Sequence, residues 1–178
     1  PDGIPDRVFR AVDPAFGGGD YVAGPVCVQY GTDVYVPAVV YDNSEKNITQ
    51  PEVVSIAMAN HVTMLCIEAT KMTASYAEAI SKMLKDKNYR ATVSTKPAPT
   101  NIGKEQKIYE MAPVIRSQFI FLNANCRPKA YQDFMTNVFA FKVNGKNKHD
   151  DAPDSLAQAA DKVSEADRHA IEVFKRLF

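Results

Sequence analysis

Several things are scarce in this 178-residue chain, and each scarcity closes a door. Net charge is absent, because 21 basic and 21 acidic residues cancel. A neutral chain does not gather nucleic acid by bulk attraction, so binding of that kind needs a local basic stripe. Cysteine is sparse and odd in number: Cys27, Cys66 and Cys126 are widely spaced within apolar runs. That pattern excludes a disulfide framework and a paired-ligand zinc site, and predicts buried, reduced thiols. No run approaches the ~18 apolar residues that a membrane span requires, and no charged-then-apolar leader opens the sequence. Repeats and low-complexity linkers are missing too. Gly17-Gly18-Gly19 lacks the following Gly-Lys-Ser/Thr of a phosphate-binding loop, and Gly-x-Ser-x-Gly does not occur, which argues against an ATPase site and a serine esterase.

What remains is a chain with 46% hydrophobic and 24% charged residues, enough for one sizeable core. The chain starts at Pro1 and is read as an excised domain spanning 1–178. Val8–Asp13 is a short apolar segment ending on a carboxylate, and Tyr21–Tyr30 and Asp33–Tyr41 flank Gly31-Thr32 as a hairpin. The first forty residues therefore predict three antiparallel strands. Beyond them the period changes. Gln50–Asn60 is spaced as a helix, with Thr49 as N-cap and Pro51 in its first turn. Val62–Ile67 is a strand-length apolar run that again ends on a carboxylate, Glu68. Ser75-Tyr76-Ala77-Glu78 matches a capping box, and Tyr89–Ser94 reads as a strand. Such alternation predicts parallel pairing through right-handed crossovers. Lys104–Met111 begins a helix, Phe119–Leu122 is a short strand candidate and Ala130–Val138 a helix. Two helical segments close the chain, one from Asp151 and one over Ser164–Phe178. The fold class predicted is α/β with a mixed sheet.

Acidic residues stand where a core does not ask for them. Asp13 ends the first strand, Glu68 ends the fourth, and His149-Asp150-Asp151-Ala152-Pro153-Asp154 opens a helix. Strand ends in α/β sheets converge on the edge where such folds build sites. Three carboxylates gathered there repel one another unless cations fill the gap, and hard oxygen donors suit Mg²⁺ or Mn²⁺. Each residue has an ordinary alternative. Asp13 and Asp20 can be turn residues, Glu68 a solvated strand end, Asp151 and Asp154 helix-terminal caps, and His149 a surface loop residue. His61 and His169, without ligand-spaced partners, read as structural. The combination carries the reading, not any single member.

The order of these motifs resembles the nuclease domain of phage terminase large subunits. The resemblance rests on Val12-Asp13-Pro14-Ala15-Phe16-Gly17-Gly18-Gly19-Asp20, on Cys66-Ile67-Glu68, and above all on Lys148-His149-Asp150-Asp151-Ala152-Pro153-Asp154-Ser155-Leu156-Ala157. It covers residues 7–163 and leaves 164–178 outside. It implies an RNase H-like fold, a five-stranded mixed sheet whose first three strands are antiparallel, flanked by helices. It implies a two-metal endonuclease cutting concatemeric double-stranded DNA with low sequence specificity, leaving 5′-phosphate and 3′-hydroxyl ends. By motif, Asp13, Glu68 and Asp151 correspond to the catalytic acids, with Asp150 and Asp20 as further metal-facing carboxylates. His149 and Asp154 are supporting residues. Glu68 stands where the family often has the shorter Asp. An ATPase motor, a small terminase subunit and a portal are the partners implied, in the host cytoplasm, with the isolated domain a monomer.

Two lysine clusters are candidates for contacting DNA phosphates: Lys96, Lys104 and Lys107 after the fifth strand, and Lys142, Lys146 and Lys148 before the acidic helix. A solvated lysine face is the ordinary alternative for each. Asn144-Gly145 suggests a short hairpin raising the second cluster above the cleft. Another RNase H-like nuclease, a junction resolvase or a hybrid nuclease, fits the same acids. A non-catalytic module that binds DNA or protein is the reading from a different class. It leaves mutually repelling carboxylates unexplained.

Overall fold

The computed structural model describes residues 3–15, 19–69, 74–97 and 103–177, with side chains followed as far as Ala166, Ala69 excepted. Strand β1 (Arg7–Val12) lies at the centre, antiparallel to β2 (Val22–Tyr30) and parallel to β5 (Met64–Ala69). Outside β5 runs β6 (Thr92–Pro97), also parallel. Beyond β2 come β3 (Asp33–Val36) and, at the far edge, β7 (Phe119–Phe121), parallel to β3, giving the order β6-β5-β1-β2-β3-β7. β4 (Val39–Asp42) pairs antiparallel with the first half of β2. The mixed sheet thus has seven strands rather than five. The third predicted strand is broken at Pro37-Ala38, where proline cannot donate to a ladder. Its halves pair with opposite ends of β2, and β7 adds an edge.

Alternation along β1 divides the core. Phe9 and Ala11 face one side of the sheet and Arg10 and Val12 the other, all buried. The first side packs against α3 (Lys104–Gln118), α4 (Lys129–Ala140) and α5 (Asp151–Leu177) through Phe134, Leu156, Ala159 and Ala160. The second packs against α1 (Lys46–Ala59) and α2 (Ala74–Asp86) through Val53, Val54, Tyr76, Ile80 and Leu84. Each large apolar side chain so buried contributes about 1.5–3 kcal/mol. Arg10 is fully enclosed on the α1 side, where its guanidinium donates to the carbonyls of Val53 (3.0 Å) and Gly24 (3.4 Å). Gly24 is required: a Cβ there would lie 2.3 Å from the Ala11 carbonyl oxygen of the neighbouring strand.

Some local expectations shift. α1 starts at Lys46, so Thr49 is inside it and accepts a bond from the Tyr76 hydroxyl at 3.1 Å instead of capping. α2 starts at Ala74, which places Ser75 within the helix. β6 sits three residues later than Tyr89–Ser94, because Tyr89 turns inward to donate to the Val62 carbonyl at 3.0 Å. The two closing helical segments are one continuous rod, α5. Asn144-Gly145 forms a turn with Asn144 at φ 60°, and no strand flanks it. The loop is tied by the Asn147 amide, which bonds Lys142 N–H and carbonyl at 2.9 Å each. Of the thiols, Cys27 is buried, Cys66 half-buried and Cys126 exposed, so burial does not extend to all three.

A candidate metal centre at the sheet edge

The parallel register of β1 and β5 pairs Val12 with Ile67, which brings Asp13 level with Glu68 on the next residue of each strand. Both are an even number of residues from Phe9 and Met64, so they share the sheet face covered by α5. A two-way backbone bridge to Ala23 fixes Asp13, with Asp13 N–H donating at 2.8 Å and its carbonyl accepting at 3.0 Å. From α5 comes Asp154, wholly buried. One carboxylate oxygen from each of Asp13, Glu68 and Asp154 lies within 4.8 Å of the others.

The acid grouped with Asp13 and Glu68 is therefore Asp154, not Asp151. Asp151, one turn earlier, accepts the Tyr21 backbone N–H at 3.2 Å and forms a second group with Asp20 and His149, again within 4.8 Å. Neither Asp151 nor Asp154 caps the helix through its side chain in the bonds seen. The Ala152 N–H in the first turn is met instead by Asn137 Oδ1 at 3.1 Å, and Asn137 Nδ2 donates to the His149 carbonyl at 3.0 Å. The His149 ring meets Tyr21 edge-on, and Tyr21 stacks on Tyr41 with centroids 4.3 Å apart. Asp150 stands at the rim.

Two ammonium groups enter this acidic cluster from the first turn of α3. Lys104 Nζ lies 3.2 Å from Asp154 Oδ2, 3.6 Å from Asp13 Oδ2 and 3.7 Å from Asp150 Oδ1. Lys107 Nζ donates to Asp154 Oδ1 at 2.9 Å and lies 3.5 Å from Glu68 Oε2. Lysines expected to face phosphates are thus turned inward onto carboxylates. Lys96 behaves similarly, pairing with Asp161 at 3.0 Å and with Glu165. Lys142, Lys146 and Lys148 remain on the open side, lining with Tyr41 and His149 a cavity of about 380 Å³.

Electrostatics follow from this crowding. Burial pushes the Asp13 carboxyl up to about 7, and the nearby charges of Asp154, Glu68 and Asp151 push the same way, with Lys104 opposing them. Burial also raises Asp151, against the pull of the Tyr21 N–H and Lys104. For Lys104, burial alone would lower its affinity for the proton, but Asp13, Asp154 and Asp150 outweigh it and hold the ammonium charged well above its ordinary range.

Sequence reasoning missed Gln158, whose Nε2 donates to Glu68 Oε2 at 2.5 Å. Its signal was present, since Gln158 is four residues past Asp154 and shares its helical face. Asn137 and the Tyr21 N–H left no such signal, because both reach the site across long sequence separations.

No protein-family model matches the chain, and no curated protein does. Solved structures do match. The nuclease domain of the large terminase subunit gp2 of bacterial virus Sf6 superposes with a TM-score of 0.61 at 12% identity, over 89% of each chain. The human cytomegalovirus terminase nuclease domain, soaked with Mn and inhibitor-bound, gives 0.59 at 10% identity, over 89% of this chain and 83% of that one. The fold is that of the terminase nuclease domains. The same fold extends to the Fowlpox virus resolvase in complex with Holliday junction DNA, with a TM-score of 0.54 at 12% identity, over 89% of this chain and 98% of that one.

Proposed function

We propose that residues 1–178 form the endonuclease domain of a viral DNA-packaging terminase, cutting double-stranded DNA by divalent-metal-dependent phosphodiester hydrolysis with low sequence specificity. The observation that carries this reading is the convergence of Asp13, Glu68 and Asp154 at the carboxyl ends of two parallel strands. The donor set suits a hard cation. It is all oxygen in the first group, and Asp154 Oδ2 is buried with no hydrogen-bond donor among the described residues, the Lys104 ammonium lying 3.2 Å away. In the second group His149 Nδ1 is also buried without a bond. Asp13, Glu68 and Asp154 would hold one ion, and Asp151, Asp20 and His149, with Asp150 in support, a second. Two Mg²⁺ or Mn²⁺ ions held there would supply the activation of a water and the stabilisation of the leaving oxygen that phosphodiester hydrolysis needs.

The chain's own residues do the rest. The Ala23 bridge and the α5 rod hold the acids apart from bulk water and at fixed spacing. Lys104 and Lys107 reduce the repulsion among them and place positive charge where the scissile phosphate arrives. Lys142, Lys146 and Lys148, on the open side, suit phosphates further along the strand. In the parent protein this domain works with an ATPase motor, a small subunit and a portal in the host cytoplasm.

The likeness to a resolvase supports a second reading, in which branched DNA is the substrate. Supercoiled plasmid and a four-way junction, each incubated with Mg²⁺, Mn²⁺ or EDTA beside Asp13→Asn and Asp154→Asn, separate the two. Metal-dependent linearisation lost in both variants supports the terminase reading, and a junction cut much faster than duplex supports the other. Cleavage that survives both substitutions overturns the site.

A further inference from the structure

Glu68 is the one long acid in its group. Compared with Asp13 and Asp154 it carries an additional methylene and one more torsion, so its carboxylate has more positions to sample. The structure removes that freedom. Gln158 Nε2 donates to Glu68 Oε2 at 2.5 Å, and Lys107 Nζ stands 3.5 Å from the same oxygen. Gln158 projects from α5 one turn beyond Asp154. Together with Glu68, Cys66, Ser94 and Lys107 it lines a cavity of about 60 Å³, and the restraint on the carboxylate comes from its contacts with Gln158 and Lys107.

We infer that Gln158 is a positioning residue for cation binding: its amide clamps one oxygen of Glu68 and leaves the other for the ion. The inference rests on reading Glu68 as a cation ligand. A neutral amide suits the task. A carboxylate at 158 would add repulsion, and an ammonium would satisfy Glu68 and compete with the cation. The clamp also joins the two halves of the site. Glu68 belongs to the sheet and Asp154 to α5, and Gln158 ties the first to the helix that carries the second.

The test measures Mn²⁺ binding directly, without DNA, by calorimetry and by the electron paramagnetic resonance signal of the free ion. The full chain is compared with Gln158→Ala, Glu68→Asp, the double variant and Asp13→Asn. Gln158→Ala is expected to weaken Mn²⁺ binding by about ten- to a hundredfold, the range for losing a group that orients a metal ligand. In the Glu68→Asp background, where the shorter acid does not reach the amide, the same substitution should change affinity less than about twofold. Alanine is well tolerated in a helix, so the variant keeps its fold. An unchanged affinity for Gln158→Ala overturns the inference, and so does an equal loss in both backgrounds, which marks a merely structural role. Asp13→Asn that binds Mn²⁺ as well as the parent chain, or a parent chain that binds none, overturns the underlying reading of the site instead.

Discussion

Asp13→Asn should stabilise the metal-free protein while abolishing cleavage. Burial among like charges raises the Asp13 carboxyl from the usual 3.8 to about 7. The folded chain therefore keeps that proton up to about pH 7, whereas the unfolded chain releases it near 3.8. Between those values the folded state binds more protons, so stability is lost as pH rises. The full difference amounts to about 4 kcal/mol above pH 7, at roughly 1.4 kcal/mol per tenfold change in acidity. Asparagine has nearly the same shape and carries no charge. Some of the gain is returned because Lys104 then faces one carboxylate fewer. A net gain of about 2–3 kcal/mol at pH 8 corresponds to roughly 5–10 °C in Tm for a chain of this size. Thermal unfolding followed by circular dichroism in EDTA, from pH 4.5 to 8.5, measures it. The gap between the two proteins should be smallest at the acidic end and widen as pH rises. Added Mn²⁺ should then raise the melting temperature of the parent chain more than that of the variant. If Asp13→Asn melts below the parent at pH 8 in EDTA, or if the difference ignores pH, the account of Asp13 as a strained, desolvated acid is wrong.

The same proton makes cation uptake pH-dependent. Mn²⁺ binding below pH 7 should release close to one proton, with apparent affinity falling up to about tenfold per pH unit, and calorimetry in two buffers of different ionisation enthalpy reads both quantities. Gly24→Ala places a methyl group against the Ala11 carbonyl. It should cost about 1–3 kcal/mol and lower cleavage through the adjoining Ala23–Asp13 bridge, seen as a lower Tm and a lower rate together. Lys146→Ala with Lys148→Ala should reduce the salt dependence of DNA binding, lowering the slope of log affinity against log salt by about two. Fluorescence anisotropy at several salt concentrations checks this, and an unchanged slope assigns both lysines to a solvated face.

The strands that carry the acids were readable because each is an apolar run cut off by a carboxylate, and such runs, buried on both faces, mark interior strands of a sheet. That the two ends lie side by side followed only if the two strands are neighbours, and the register of Val12 with Ile67 supplies that. The choice among Asp150, Asp151 and Asp154 was not readable. Asp151 and Asp154 project to the same side of a helix, and the distinction is made by groups distant in sequence: the Tyr21 N–H claims Asp151, and Lys107 claims Asp154. The inward turn of Lys104 and Lys107 was hidden for a related reason. Their direction depends on the phase of α3 against α5, which a Pro/Gly-rich approach does not reveal. Local chemistry did show in one place it was not read: Pro37 interrupts the donor ladder and splits the third strand.

The 27 residues of α5 rise about 40 Å as one rod, at 1.5 Å per residue. Asp151, Asp154 and Gln158 all hang from its first turns, while Asp13 and Glu68 belong to the sheet. The spacing between the two sets is therefore set by how α5 packs on the sheet through Leu156, Ala159 and Ala160. Because Asp151, Asp154 and Gln158 share one helix, a substitution that altered this packing would displace all three together. Gln158 joins the two sets directly, through its hydrogen bond to Glu68.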